Sequence, residues 1–163
     1  MKHIINTNKK PFIPYPGWTV EEHIKGGKLE WNPENVKLYV SEEQKNGYIE
    51  GNKLRKLVKN PLNANVLDYL YKHQELIPDK WKGKYVYFWG TIYRHSGGYL
   101  CVRCLFWDVG QWHCCCGWLG GDWLSVAPAA VPASPLGSET EPSSSDTLPL
   151  ELTINGAKYR KLT

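Results

Sequence analysis

The chain predicts an α+β domain: two helices followed by a run of antiparallel strands. Three observations lead there. Residues 50–77 carry apolar side chains at helical spacing, the apolar period changes to two from Lys84 onward, and turn-forming residues punctuate the second half at short intervals. At 163 residues the chain has room for one domain plus appendages.

Residues 1–16 are polar and carry Pro11, Pro14 and Pro16, the pattern of an N-terminal arm or edge segment. From Trp18 the stretch WTVEEHIKGGKLEW alternates through Trp18, Val20 and Ile24, then Leu29 and Trp31. With Gly26-Gly27 between the two runs it reads as a hairpin. Thr19 and Glu22 also fit a helix capping box, the alternative at this point. VKLYV at 36–40 fits a short strand. The first helix is expected near 50–59, with Leu54, Leu57 and Val58 as its apolar stripe and Lys53, Arg55, Lys56 and Lys59 around it. The second is opened by Pro61 and Asn63 and stopped by Pro78, with Val66, Leu67, Leu70, His73 and Ile77 on one face.

YVYFWGTIYR then reads as one strand, Val86, Phe88 and Ile92 facing one way and Tyr85, Tyr87, Trp89 and Tyr93 the other. HSGG at 95–98 is a turn, YLCVRCLFW a second strand, and DVGQ at 108–111 another turn. Third and fourth strands are expected near 112–119 and 124–133. Residues 132–148 are rich in Pro and Ser and read as a flexible linker. In the tail, 149–163, an Asn-Gly between two alternating runs predicts a β-hairpin, which should dock on the domain or on another chain because an isolated hairpin is marginal in water.

The formal charge of +4 is mild and spread along the chain, so nucleic acid is not an expected partner. Aromatics make up 13% of the residues and are mostly Trp and Tyr, which suits half-exposed sheet faces and binding surfaces. MKHIINTNKK lacks the apolar core of a signal peptide, and no run is long enough to span a bilayer. The expectation is a cytoplasmic protein, with surface display by another route left open.

The most informative stretch is 101–127, CVRCLFWDVGQWHCCCGWLGGDWLSVA. It holds all five cysteines, and tryptophans recur at 107, 112, 118 and 123. The cysteine number is odd and clustered, unlike a secreted disulfide framework. A zinc site is one reading, from Cys101-x2-Cys104, His113 and the Cys114–Cys116 triplet. Its spacing is poor: on a strand Cys101 and Cys104 face opposite sides, and only Cys114 and Cys116 of the triplet share one. A Cys/His113 nucleophile pair is a second reading, but no orienting group or oxyanion hole accompanies it, and His73 and His95 read as a helix-edge and a turn residue.

The third reading uses the genetic code. If only adenines of the coding strand are randomised, a Tyr codon yields Tyr, Cys, Phe or Ser. An Asn codon yields a broad set that excludes Trp, Met, Gln, Glu and Lys, and an Asp codon yields Asp, Gly, Val or Ala. Cys101, Cys104, Phe106, Cys114, Cys115 and Cys116 belong to the Tyr-derived set. His113, Gly117, Leu124, Val126 and Ala127 belong to the Asn-derived set, while Asp108, Val109, Gly120 and Gly121 fit an Asp or Asn ancestor. The frame of Trp107, Gly110, Trp112, Trp118, Leu119, Trp123, Pro128 and then Ala129, Ala130 and Val131 consists of residues whose codons can lack adenine where it matters. The single tryptophan codon has none.

On these residues, WDVGQWHCCCGWLGGDWLSVAPAAV with GKYVYFWGTIYRHSGGYLCVRCL upstream resembles the variable protein of a diversity-generating retroelement. The resemblance spans about residues 17–131 and is most specific in WLxxDW followed by PAAV. In that family a reverse transcriptase copies a template repeat with errors at adenines, and the copy replaces a matching repeat in the target gene. The resemblance implies a C-type-lectin-like domain, a non-enzymatic ligand-binding role, an unidentified macromolecular or surface ligand, and no cofactor or metal. No acidic calcium-binding constellation is present, so calcium-dependent sugar binding is not implied. Many such proteins end soon after the variable window, whereas here a linker and hairpin follow.

A face that tolerates many side chains cannot depend on them for its fold. The tryptophan frame, Leu105, Leu119 and the 128–131 strand should therefore be buried support, and the slots should point to solvent. Two other classes of function compete. A single-strand nucleic-acid binder would use Tyr85, Tyr87, Trp89 and Tyr93 with Lys82, Lys84, Arg94 and Arg103. A structural module would dock through its tail hairpin.

Overall fold

The computed structural model describes residues 2–133 and the two strands at 151–154 and 157–160. The linker expected at 132–148 and the Asn155-Gly156 turn lie outside the described residues, apart from 132 and 133. The fold is mixed α+β, mostly strands, with three helices among the described residues rather than two.

In chain order the elements begin with β1 (Ile4–Asn6), β2 (Thr19–His23), β3 (Lys28–Glu30), β4 (Val36–Tyr39) and α1 (Glu42–Asn46). Next come β5 (Ile49–Glu50), α2 (Gly51–Leu57), α3 (Ala64–Lys72), β6 (Val86–Tyr87) and β7 (Thr91–Arg94). The series ends with β8 (Leu100–Asp108), β9 (Gln111–Trp118), β10 (Asp122–Trp123), β11 (Ala129–Pro132), β12 (Glu151–Ile154) and β13 (Ala157–Arg160). A seven-stranded sheet runs β2-β7-β8-β6-β11-β4, with β9 added along β8. The β6–β11 pairing is parallel and the other pairings are antiparallel. β12 and β13 pair antiparallel with each other.

Several elements depart from expectation for identifiable reasons. The hairpin expected at 18–31 does not form. β2 pairs with β7 across the main sheet, while β3 pairs with β1. Gly26-Gly27 is a crossing point, where Gly26 N–H donates to the Thr7 hydroxyl and that hydroxyl donates to the Gly27 carbonyl. The start of the 1–16 arm is thus a strand with Ile5 in the core.

α1 went unforeseen because its five residues, EEQKN, carry no apolar stripe. A reciprocal capping box nucleates it: Gln44 N–H donates to Ser41 Oγ and Ser41 N–H donates to Gln44 Oε1. α3 starts where Asn63 caps it but stops at Lys72, short of Pro78. Ile77 reaches the core after a separate 3-10 turn, Gln74–Leu76, not as part of the helical stripe.

The strand expected over 85–94 is broken in two. The N-terminal end of α3 packs onto Gly90 so closely that a Cβ there would lie 2.7 Å from the Asn63 side chain and 2.8 Å from the Pro61 carbonyl. The break changes phase. Val86 and Phe88 pack with α3, while Tyr87, Trp89 and Ile92 pack together on the opposite core. Both faces of the sheet are covered, so alternation over this stretch marks two cores, not a wet and a dry side. The fourth strand expected near 124–133 is also split, into β10 and β11 with a loop between.

Candidate ligand-binding face

β8 and β9 form the hairpin that carries most of the window. Register runs from Cys101↔Trp118 to Asp108↔Gln111. Because opposed residues share a face, the window is divided by the pleat. Cys101, Arg103, Leu105 and Trp107 share one face with Trp118, Cys116, Cys114 and Trp112. Val102, Cys104, Phe106 and Asp108 share the other with Gly117, Cys115, His113 and Gln111. The slots therefore cannot all meet one ligand.

The first face lies against α3. Arg103 is buried and donates to both carboxylate oxygens of Asp68, at 3.0 and 3.1 Å. Burial holds the Asp68 carboxyl above its usual range against the pull of Arg103. Cys114 and Cys116 are half-buried beside this pair. Burial pushes the Cys116 thiol up to about 11 and the Cys114 and Cys101 thiols up as well. A raised thiol pKa leaves less thiolate at neutral pH for nucleophilic attack.

The second face carries a ring ladder. Tyr85 stacks on Phe106 at 5.0 Å, and Phe106 stacks on His113 at 5.2 Å. All three are at least partly exposed. His113 Nε2 lies 3.1 Å from the Asp108 carbonyl oxygen. Cys104 and Cys115, directly opposed with Cα atoms 5.0 Å apart, form a disulfide beneath this ladder. With Cys104 bonded and His113 turned away from Cys114 and Cys116, the donors for a zinc site or a Cys/His pair are divided between faces.

Beyond the ladder is an open pocket of about 370 Å³. Its lining comes from β6, the end of β9 and the 121–127 stretch, including Tyr85, Tyr87, Gly117, Trp118, Trp123 and Leu124. The loop that forms its far wall is fixed through backbone. Gln44 Nε2 donates to the Leu124 and Ala127 carbonyls at 2.9 and 3.1 Å. Tyr85 N–H donates to the Val126 carbonyl at 2.8 Å, and Ala127 N–H donates to the Leu124 carbonyl at 3.0 Å. The side chains of Leu124 and Val126 are left 53% and 44% exposed.

The hairpin tip is the other conspicuous site. Val109 has φ 50° and Gly110 φ 76°. Two consecutive left-handed residues between paired strands make a type I′ turn, whose favoured sequences are Asn-Gly and Asp-Gly. A β-branched residue is badly placed there, and Val109 gains no packing in return, being 85% exposed.

No family model matches the chain, and no curated protein or solved structure is significantly similar to it.

Of the sequence-selected slots, Asp108, Val109, Gly120, Leu124 and Val126 are exposed. Phe106, His113, Cys114, Cys115, Cys116, Gly117 and Gly121 are half-buried. Cys104 and Ala127 are corrections: both are buried in the core on the second face. Gly117 is another, since a Cβ there would lie 2.7 Å from the Trp123 ring and 2.8 Å from that of Tyr87, so it is not a freely variable position. Within the frame, Trp112, Leu119, Trp123 and Pro128 are buried, Trp107 is half-buried and Gly110 is at the exposed tip. Trp107 meets Trp112 edge-on at 5.4 Å and has Lys82 Nζ 3.9 Å from its ring centroid. Trp118 is a correction: it is 56% exposed and stands on the pocket rim, its ring lying across Gly120.

The aromatic face offered as a nucleic-acid platform is largely absent. Tyr87, Trp89 and Tyr93 are buried, Arg103 is taken up by Asp68, and Arg94 pairs with Glu21. Two supports escaped sequence reasoning. Gln44 had a readable signal in Ser41-x-x-Gln44 but none that tied it to a loop eighty residues on. Gly51 admits the 119–123 segment so closely that a Cβ would meet Leu119 and Trp123, a contact no local pattern announces.

Proposed function

We propose that this chain is a non-enzymatic ligand-binding protein whose 101–127 window is diversified by adenine-directed mutagenic copying. Its α+β fold is then a C-type-lectin-like scaffold. The observation that carries this reading is the Val109-Gly110 tip. A backbone shaped for Asn-Gly or Asp-Gly holds a valine, and valine is what base changes at the adenines of an Asn or Asp codon can leave. An exposed, poorly suited residue on a well-built turn fits a position filled by a mutation process rather than by folding.

The loop at 124–127 supports the same reading. Its backbone is held by Gln44 and Tyr85 while the Leu124 and Val126 side chains face solvent. Such a loop keeps its shape whichever side chains it carries. The test is the coding DNA. Pyrimidine-ending codons at the slots and a nearby near-repeat with adenines at those positions are expected. Purine-ending codons at 109, 124 and 126, or a genome without such a repeat, overturn it. Among the described residues no helix is long and apolar enough to cross a membrane.

A further inference from the structure

The geometry points to the outer edge of β9 as the docking site of the chain's own β12–β13 hairpin, which adds to the main sheet as further strands. The inference rests on hydrogen-bond phase and edge chemistry, not on the reading of the window as variable.

The phase of the ladder comes first. Leu119 N–H donates to the Leu100 carbonyl at 3.0 Å, and Phe88 N–H donates to the Arg103 carbonyl at 3.0 Å. With the registers of β8, these bonds turn the backbone groups of its even-numbered residues toward β9 and those of Arg103 and Leu105 toward β6. On β9, His113, Cys115 and Gly117 therefore bond to β8, while the N–H and C=O groups of Trp112, Cys114 and Cys116 point outward. No other strand pairs with β9 among the described residues, and no turn or loop bond takes these groups up.

This edge also lacks the protection seen at the other two ends of the main sheet. β2 has a register shift between Val20 and Glu22 and two adjacent glutamates, and β4 is four residues long and carries Lys37. β9 is eight residues long, QWHCCCGW, with no Pro, Asp, Glu, Lys or Arg, and its register with β8 is unbroken. A long, regular, uncharged edge is a template for another strand, and proteins normally blunt or cover it.

The hairpin is the complementary orphan. β12 and β13 pair with each other and with no other described strand. Their register puts Leu152, Ile154, Ala157 and Tyr159 at one parity and Glu151, Thr153, Lys158 and Arg160 at the other. A two-stranded ribbon with one apolar side is marginal alone and gains by joining a sheet. Beside the open edge, one face of β9 carries Trp112, Cys114 and Cys116, an apolar surface for that side to continue. Residues 134–150 can span up to about 55–60 Å, more than the diameter of about 35–40 Å expected for a domain of this size, so the tether allows the contact.

Amide exchange measured by NMR on the full chain tests this. The Cys114 and Cys116 amides should exchange at least about tenfold more slowly than in the same chain carrying Thr153→Pro and Lys158→Pro, the effect of a few net strand hydrogen bonds. The Cys115 and Gly117 amides, bonded to β8, should stay protected in both chains and so report that the domain is folded. Inter-strand contacts between 112–116 and 151–160 should appear only in the unsubstituted chain. Free exchange at 114 and 116 in that chain, or protection that the prolines leave unchanged, overturns the proposal. So does protection that grows with protein concentration alongside a dimer, which would make a second copy the occupant. None of these outcomes bears on the coding-DNA test.

Discussion

Replacing Val109 by Asn should stabilise the protein. At φ 50° a side chain with a Cβ is held close to the following carbonyl, at a cost of about 1–2 kcal/mol for a residue without a compensating polar contact. Asn tolerates the left-handed region and hydrogen-bonds locally, so it recovers about 1 kcal/mol of this. Little is lost in exchange, because Val109 is 85% exposed and its methyl groups bury almost nothing. Val109→Gly should recover less, since glycine relieves the steric strain but loses about 0.5–1 kcal/mol through the entropy of the unfolded chain. Urea unfolding should move the midpoint upward at constant m-value, and the melting temperature should rise by about 2–4 °C for each kcal/mol in a chain of this size. A neutral or destabilising Val109→Asn would mean that the tip is not a type I′ turn in solution. It would also remove the structural support for an Asn or Asp ancestor at that position.

Gln44→Ala should cost about 2–4 kcal/mol, because it removes three hydrogen bonds, among them the side-chain donor to the buried Ala127 carbonyl. Hydrogen exchange at 124–127 should accelerate, whereas Glu43→Ala on the exposed side of the same helix should change neither readout. Leu124→Ser and Val126→Ser should each change stability by less than about 0.5 kcal/mol in chemical denaturation, as expected for exposed positions. Cys104→Tyr, though reachable by one base change, should collapse the fold or sharply lower its yield, because Cys104 is fully buried and disulfide-bonded. Alkaline pH should destabilise the protein through groups whose folded values are raised: Cys116 from 9.0 to about 11, and Tyr87 and Tyr93 from 10.0 to about 12. Stability from each is fully present below its unfolded value and lost as pH rises through the folded one. Melting temperature should therefore hold to about pH 9 and fall between pH 9 and 12, with tyrosinate absorbance rising late in that interval. A flat profile to pH 12 would contradict the burial of these groups.

How much was legible depends on the reach of each signal. The cap at Asn63, the stripe Val66-Leu67-Leu70, and the turn at 108–111 are local, and the sequence states them. The partner of a strand is not local. β2 and β3 flank a double glycine that reads as a hairpin, yet each finds its partner elsewhere, β2 some seventy residues away. Alternation over 85–94 misled for a related reason. It predicts one exposed face only if nothing covers the second side, and here α2, β5 and β10 do. The codon pattern marked positions in the window without regard to the pleat, so it could not separate Cys104 or Ala127 in the core from Leu124 and Val126 outside.

That separation bears on what kind of variable surface this scaffold can carry. A slot is free to change only if its backbone hydrogen bonds are made by other elements and its Cβ points into open space. Leu124 and Val126 meet both conditions; Val109 meets the second, on a strained backbone. Cys114 and Cys116 do not meet the second, because the pleat turns them toward Arg103 and Asp68, where a larger or charged replacement disturbs a buried ion pair. Gly117 is intermediate: any side chain there must displace the Tyr87–Trp123 corner or fill the pocket beneath it. If the window is diversified as proposed, substitution there acts in two ways. Substitution at the loop and the hairpin tip decorates a fixed surface, whereas substitution at 117 opens or closes a cavity, and the glycine in this chain holds it open.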